Sequence, residues 1–253
     1  MKKHINVVLT MIIVSLVMWS GCKKSSTEPS PVTTGTLSMG AAYTKNVVSG
    51  SALMKTAGIT SPAAVDSIKI TRARFVLRDI KFKTVEEDSM NFKSSPMVLE
   101  LELSGTMQNV GVSNARFATY RRIEFDVHRV EAKDLAGLSQ ADSAKFADFL
   151  AGQKYSIIID GTVYKTGQPG QAFTYRSKVD AQQKVDLTPN LVVTEASPTV
   201  NATIMISSAN WFTGAGALVD PVDTNNEGII DENLKNSIKV FKDNDKDGSK
   251  DGG

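Results

Sequence analysis

Apolar and polar residues alternate with a period of two along most of residues 37–206. The clearest stretch runs from Leu99 to Leu103, where leucines alternate with glutamates. This period is typical of strands that pack on a core with one face and meet water with the other. The same pattern over 123–128 and 200–207 predicts two further strands of this kind.

Other segments predict strands with less regular patterns. In residues 68–82 the apolar set changes parity between Ile70 and Ala73, which predicts a β-bulge or a break. The run Gly167-Gln168-Pro169-Gly170 predicts the turn of a hairpin between strands at 155–164 and 173–175. Shorter strands are predicted at 37–43, 110–112, 185–187 and 191–193.

Two segments have the spacing of helices. The first is a short crossover helix with Ser139 as its N-cap and Asp142 three residues later, and its apolar face holds Phe146, Phe149 and Leu150. The second is an amphipathic helix near the C-terminus, capped near Asp231, with an apolar face of Ile230, Leu234, Ile238 and Phe241. So many strands beside so few helices predict an all-β fold, an antiparallel β-sandwich.

Three stretches of the body resemble a family of bacterial extracytoplasmic domains of unassigned function with a prealbumin-like sandwich. They are Ser67-Ile-Lys-Ile-Thr71 continuing through Phe75-Val-Leu77, the strand from Leu99 to Leu103, and Ala118-Thr-Tyr120-Arg-Arg-Ile123-Glu-Phe125. The family usually has a glycine at the position of Ala118. The resemblance covers residues 37–210, and it implies a fold and a location in the cell envelope but no chemistry.

The N-terminus has the pattern of an export signal. Lys2 and Lys3 precede a 14-residue apolar run over 5–18, which is short for a spanning helix. Ser20-Gly21-Cys22 follows and resembles the lipobox of bacterial lipoproteins, although Trp19 departs from that pattern. The resemblance implies cleavage before Cys22 and acylation of its thiol and amino group, which would anchor the chain in a membrane. The alternatives are an ordinary secretory leader with an incidental cysteine and an uncleaved anchor.

Residues 22–36 are rich in Ser, Thr and Pro and lack apolar periodicity, so we expect a flexible tether. The second residue after the cut is Lys23 rather than Asp. By resemblance to enterobacterial sorting, this favours the outer membrane and leaves the leaflet open.

Charge and rare residues exclude several function classes. The 29 basic and 27 acidic residues become 27 of each without Lys2 and Lys3, so no net positive charge favours nucleic acid. The only histidines are His4 and His128, and Cys22 is the only cysteine. Without the leader, a zinc site built from several His or Cys ligands is therefore excluded.

The body offers three weaker candidates for chemistry. Glu124, Asp126 and His128 share a strand face and could bind a divalent ion, but the favoured alternative is a solvated strand face on which Arg122 and Arg129 offer ion pairing. The Trp211-Phe212 pair could stack on a sugar or plug one end of the sandwich. A basic face for an anion could be formed by Arg72, Arg74, Arg78, Arg121 and Arg122. No Gly-x-Ser-x-Gly motif supports a hydrolase.

The tail contains the most specific motif. Oxygen ligands occupy positions 1, 3, 5, 7 and 9 of an EF-hand-like loop, with Gly248 at position 6, and these ligands are Asp243, Asp245, Asp247, Ser249 and Asp251. The motif resembles the calcium loops of EF-hands, dockerins and thrombospondin type 3 repeats, but it lacks the glutamate at position 12. We therefore expect calcium to bind with a dissociation constant of about 0.1–1 mM. The alternative is a solvated polar terminus, which its three lysines favour.

A second, less complete loop lies upstream of the predicted helix. Asp223, Asn225, Glu227 and Gly228 occupy positions 1, 3, 5 and 6 of such a loop, and Leu234 stands where the glutamate belongs. It is the weaker of the two calcium candidates.

These observations divide the chain into a signal peptide (1–21), a tether (22–36), a β-sandwich (37–212) and an acidic C-terminal extension (213–253). We expect a non-enzymatic envelope lipoprotein with a binding or structural role and a glycan or surface protein as partner. The alternative is a carbohydrate-binding module or an accessory subunit of a glycan-processing system. An enzyme would need a cleft that contains His128 or paired carboxylates, whereas His128 on a flat sheet face would argue against one.

Overall fold

The structure, a computed structural model, describes residues 34–44 and 64–251. The strands are β1 (Thr34–Thr44), β2 (Val65–Thr84), β3 (Ser89–Lys93), β4 (Met97–Glu100), β5 (Gln108–Arg116), β6 (Ala118–Val127), β7 (Ile157–Lys165), β8 (Gln171–Ser177), β9 (Ala181–Val193), β10 (Thr199–Ser207), β11 (Thr213–Gly214), β12 (Ala217–Leu218) and β13 (Ile238–Lys242). The α-helices are α1 (Gln140–Ala144), α2 (Ala147–Leu150) and α3 (Glu227–Asn236), and 3-10 helices form at Ala132–Leu135 and Thr224–Asn226.

Two sheets form the predicted all-β sandwich, which confirms the fold class. The four-stranded sheet has the order β13-β10-β1-β5, and the seven-stranded sheet has the order β8-β7-β2-β6-β9, with β3 and β4 also paired to β2. The strands β1 and β10 pair in parallel, so the smaller sheet is mixed rather than purely antiparallel. A parallel pair needs a long crossover, and the whole seven-stranded sheet lies in the chain between these two strands.

Most predicted strands are present, and two predictions about irregular segments are confirmed. The long strand β2 has a register shift against β7 between Ile70 and Arg72, which is the predicted bulge. The hairpin of β7 and β8 turns at residues 166–170. The two short strands predicted near 185 and 191 are parts of the single strand β9. The first strand begins at Thr34, so the last three residues of the predicted tether, 34–36, belong to β1.

The predicted crossover helix is divided in two. The Ser139 hydroxyl accepts a hydrogen bond from the Asp142 N–H, as expected of an N-cap. The helix α1 then ends at Ala144, and α2 begins at Ala147. Phe146 and Phe149 are buried against Val76 and Ile158 on the outer face of the seven-stranded sheet.

The C-terminal helix is shorter than predicted and begins earlier. It starts at Glu227, so Asp231 lies inside it, and Asn226 occupies the cap position. It ends at Asn236, where the Ser237 hydroxyl donates to the Leu234 carbonyl. Ile238 and Phe241 lie on β13 instead, because residues 238–242 pair with β10. Part of the predicted extension therefore belongs to the sandwich.

The core between the sheets centres on aromatic residues. Trp211 is fully buried, with ring centroids 5.9 Å from Phe75 and 6.3 Å from Tyr43. Phe212 packs edge-on against Phe173 at 5.6 Å. The Trp211-Phe212 pair thus fills the interior and offers no exposed stacking surface. No helix in residues 34–44 and 64–251 is long and apolar enough to cross a membrane.

The burial of Trp211 predicts a large loss of stability on truncation. Trp211→Ala should reduce the free energy of unfolding by about 3–5 kcal/mol, because it removes a large buried side chain and leaves a cavity. Urea unfolding followed by circular dichroism measures this loss. Val112→Ala is the control, since Val112 is 61% exposed and its truncation should change the stability by about 0.5 kcal/mol or less. Equal effects of the two substitutions would contradict the packing described here.

Candidate metal centre

Asp243 follows β13 directly and is the one acidic residue whose side chain is entirely buried among the described residues, at 0% exposure. Two hydrogen bonds fix its backbone to Asn201 on β10. The Asp243 N–H donates to the backbone carbonyl of Asn201 at 3.1 Å, and the side-chain amide of Asn201 donates to the backbone carbonyl of Asp243 at 2.7 Å. The strand pairing of β13 with β10 therefore continues into the loop at residues 243–251.

The Asp243 side chain lies in a buried network of polar side chains. The Thr203 hydroxyl donates to Asp243 Oδ2 at 2.7 Å, and the Ser38 hydroxyl donates to Asn201 Oδ1 at 2.7 Å. Asn201 and Thr203 are buried, although the sequence pattern places them on the water-facing side of their strand. They are covered because the loop at residues 243–251 lies over this face, where a Cβ atom added to Gly248 would lie 3.9 Å from Ala42 and from Met107.

The loop folds around the Asp243 carboxylate. The Asp247 N–H donates to Asp243 Oδ1 at 3.1 Å, and the Gly248 N–H donates to Asp243 Oδ2 at 3.2 Å. Gly248 has a φ of +83°, a left-handed conformation that glycine adopts without strain. The sequence motif places a glycine at this turn for the same reason.

Three carboxylates meet in this loop. Oxygen atoms of Asp243, Asp245 and Asp247 all lie within 4.8 Å of one another, and this is the only such group found within residues 34–44 and 64–251. The backbone hydrogen bond from Asp247 lowers the pKa of Asp245, but desolvation, the neighbouring carboxylates and its hydrogen bond with Asp243 together raise it. The crowding of negative charge therefore disfavours ionisation of Asp245 unless a cation is present.

The oxygen atoms left free at this group fit a hard cation. A carboxylate has about four lone-pair positions, and Asp243 uses three of them for Thr203, Asp247 and Gly248. Asp245 Oδ1 accepts from the Asp247 N–H, and Asp247 Oδ1 accepts from the Ser249 N–H. Each of the three aspartates retains an oxygen lone pair for a metal ion, and hard cations such as Ca²⁺ prefer oxygen ligands.

The other two predicted ligands of this loop have structural contacts. Asp251 Oδ2 accepts from the Asn244 N–H at 2.7 Å, and the Asp251 N–H donates to the Lys242 carbonyl at 3.0 Å. Asp251 thus ties the end of the loop to its beginning and lies outside the group of three. The Ser249 N–H donates a hydrogen bond to Asp247 Oδ1 at 2.6 Å.

The predicted second loop is a helix cap. Asp223 Oδ1 accepts hydrogen bonds from the backbone and side chain of Asn225 and begins a 3-10 helix. Glu227 is already the first residue of α3. The Asp223 carboxylate is occupied by these hydrogen bonds, and Glu227 lies within α3. Neither residue belongs to a group of three acidic side chains that could hold a metal ion within the described part of the chain.

The row of Glu124, Asp126 and His128 is separated into ion pairs. Glu124 lies 3.3 Å from Lys81, and Asp126 lies 3.8 Å from Arg78. His128 lies just beyond β6, with Nδ1 2.9 Å from Asp180 Oδ1. The three residues do not converge on one point. His128 lines an open cleft of about 610 Å³ beyond the end of β6.

The predicted basic face is neutralised by neighbouring acids. Arg72 binds Glu100 with two hydrogen bonds of 2.8 and 2.7 Å. The remaining pairs are Arg74 with Asp148, Arg78 with Asp79 and Asp126, Arg121 with Glu87, and Arg122 with Asp186. These arginines belong to a network of ion pairs on the outer face of the seven-stranded sheet.

Sequence reasoning missed the residues that receive the loop, namely Asn201, Thr203 and Ser38. One signal was available: the outward positions of residues 200–207 carry no charge, whereas those of residues 123–128 are Glu, Asp and His. An outward face without charge indicates that something covers it. Cys22 and the leader lie outside the described residues.

No protein-family model, curated protein or solved structure matches this chain. The functional argument therefore depends on the geometry of the site.

The buried hydroxyl of Thr203 predicts a stability effect that needs no metal ion. Thr203→Val should cost about 1–3 kcal/mol, because it removes one of the three hydrogen-bond donors to the buried Asp243 carboxylate. Urea unfolding in the presence of a chelator measures it. Thr174→Val is the matched control, since its hydroxyl also donates to an aspartate, Asp160, but at an exposed position. A loss no larger than that of the control would contradict the role of Thr203.

Proposed function

We propose that the loop at residues 243–251 is a calcium site that fastens the C-terminus to the sandwich of a non-enzymatic envelope lipoprotein. The observation that carries the proposal is the group of Asp243, Asp245 and Asp247, whose oxygen atoms lie within 4.8 Å of one another. The burial of Asp243 links this group to β10 in the four-stranded sheet. An ion held there would stabilise the sheet together with the loop.

The donor set favours calcium over other cations. Three carboxylates with no histidine or cysteine nearby are hard oxygen ligands, which suit Ca²⁺ and Mg²⁺ and do not favour zinc. The loop also has the spacing of calcium loops, and calcium takes six to eight oxygen ligands in a flexible geometry. With three carboxylates, the remaining positions would fall to backbone carbonyls and water. This supports weak binding at extracellular calcium concentrations.

The envelope location is supported by the sequence of the N-terminus. A positive n-region, a 14-residue apolar run and the Ser20-Gly21-Cys22 sequence together resemble a lipoprotein signal. A weak calcium site suits a compartment outside the cytoplasm, where calcium reaches millimolar concentrations. We propose that Cys22 carries the lipid anchor, that the outer membrane holds it, and that the sandwich binds a glycan or surface protein. The burial of Trp211 removes the aromatic residue that favoured the glycan-binding alternative.

Calcium should raise the melting temperature of the full chain. At 10 mM calcium, which is about 10–100 times the expected dissociation constant, mass action stabilises the folded state by about 1.4–2.7 kcal/mol. For a domain of this size the melting temperature should rise by about 3–10 °C. Circular dichroism melts in mild detergent, with calcium and with chelator, measure the rise. The double variant Asp245→Ala, Asp247→Ala should lose it while keeping the buried Asp243, because alanine supplies no side-chain oxygen to the ion.

Two controls separate site binding from a general salt effect. The variant Asp223→Asn, Glu227→Gln removes two acids of the tail outside the group of three and should keep the calcium-dependent rise. Magnesium at the same concentration tests the choice of ion. An equal rise in the wild type and in the Asp245, Asp247 variant would refute the calcium site.

Cys22→Ser should prevent lipid attachment. The wild-type chain, expressed in a bacterium that processes lipoproteins and fed radiolabelled palmitate, should take up label and sediment with membranes. The Cys22→Ser chain should take up none, because no thiol remains for acylation. Ser20→Thr, which keeps the cysteine, is a control for changes near the cleavage site. Labelling of the Cys22→Ser chain would disprove lipidation at this residue.

A further inference from the structure

A second polar site lies away from the metal centre, around the single histidine of the described residues. His128 is 32% exposed at its side chain and lies beside Asp180, just before β9. Both residues line a cleft of about 610 Å³ that also includes the turn at residues 152–154. This volume is within the range of about 300–1,000 Å³ that is usual for small-molecule sites.

Asp180 is held as an anion that orients the imidazole. Partial burial opposes ionisation of Asp180, but hydrogen bonds from Arg129 outweigh it and lower its pKa. The Arg129 backbone N–H donates to Oδ1 and its Nε donates to Oδ2, both at 2.9 Å. His128 Nδ1 lies 2.9 Å from the same carboxylate. The other ring nitrogen, Nε2, has no hydrogen-bond partner among the described residues and lies on a residue that lines the cleft.

The cleft has more positive than negative side chains, and its acids are already engaged. Its cations are Arg78, Arg129, Lys133 and Lys154, and its acids are Glu131, Asp134 and Asp180. Asp134 accepts from the Glu131 N–H at 2.8 Å. Glu131 binds both Lys133 at 3.1 Å and Lys154 at 3.2 Å, so one carboxylate is shared by two ammonium groups. These lysines therefore retain donors and charge for a further anion.

We propose that this cleft binds the oxyanion of a small molecule, a sulfate or a carboxylate, at the ammonium groups of Lys133 and Lys154 beside His128. The two ammonium groups provide charge-assisted hydrogen bonds, which are the strong kind for oxyanions. Asp180 acts as a positioning residue, because it fixes the ring while Arg129 offsets its charge. The site shares no residue with the loop at 243–251, so it does not depend on the calcium proposal.

The test uses the full chain with His4→Gln in detergent micelles, so that His128 is the only imidazole and gives a single Hε1 resonance in the proton NMR spectrum. Sodium sulfate and sodium glucuronate are titrated at one constant pH, with sodium chloride keeping the ionic strength constant. The His128 resonance should shift in a saturable manner. Saturation by sulfate identifies a tetrahedral oxyanion, and saturation by glucuronate alone identifies a sugar carboxylate; either supports the site.

Variants distinguish a specific site from charge screening. The double variant Lys133→Gln, Lys154→Gln should weaken binding at least about threefold, since charge-assisted hydrogen bonds are lost. Lys145→Gln is the matched control, because Lys145 is an exposed lysine paired with Asp142 outside this cleft, and it should leave the affinity unchanged. The proposal fails if neither anion gives a saturable shift, or if the double variant and Lys145→Gln lose affinity equally.

Discussion

The buried carboxylate of Asp243 is the interaction on which the organisation of the C-terminal half depends. An ionised side chain taken out of water destabilises the fold unless hydrogen bonds replace its hydration. Thr203, Asp247 and Gly248 each donate to this carboxylate, and Asn201 fixes the backbone on either side of it. These bonds require β13 to lie beside β10 and the loop to cover the outer face of the four-stranded sheet. A polar residue at the end of the chain thus determines how the last strand is placed.

The placement of β13 connects the C-terminus to the hydrophobic core. Ile230 and Leu234 of α3 pack in the same core as Trp211, and the Asn233 side chain donates to the Thr213 carbonyl at 2.7 Å. The helix and the strand after it therefore close one end of the sandwich. Any free energy gained by holding an ion at the loop acts on this closure, so a weak site can influence the stability of the whole domain. An ion held there would stay within reach of solvent, because Asp245 and Asp247 are exposed beside the buried Asp243.

The outer face of the seven-stranded sheet follows a different rule. The arginines named above form ion pairs with neighbouring acids, as Arg72 with Glu100 and Arg122 with Asp186 show. Such exposed pairs contribute little stability. Lys133 and Lys154 depart from one-to-one pairing, since both bind the single carboxylate of Glu131 at the edge of a cleft. The anion that we propose would offset the remaining positive charge there.

The sequence alone determined most strands of the sandwich and the acidic composition of the loop at residues 243–251. The period of two predicts strands because adjacent side chains point to opposite faces, and the spacing of Asp243, Asp245, Asp247 and Gly248 predicts a turn that gathers carboxylates. Both signals are local, so a single chain carries them. The parallel pairing of β1 with β10, the strand at 238–242 and the burial of Asn201 and Thr203 were decided only by the tertiary structure. Apolar residues at 238 and 240 suit a buried strand, and those at 234 and 238 suit a helix. Hydrogen bonds to β10, a strand more than thirty residues away, decide between the two.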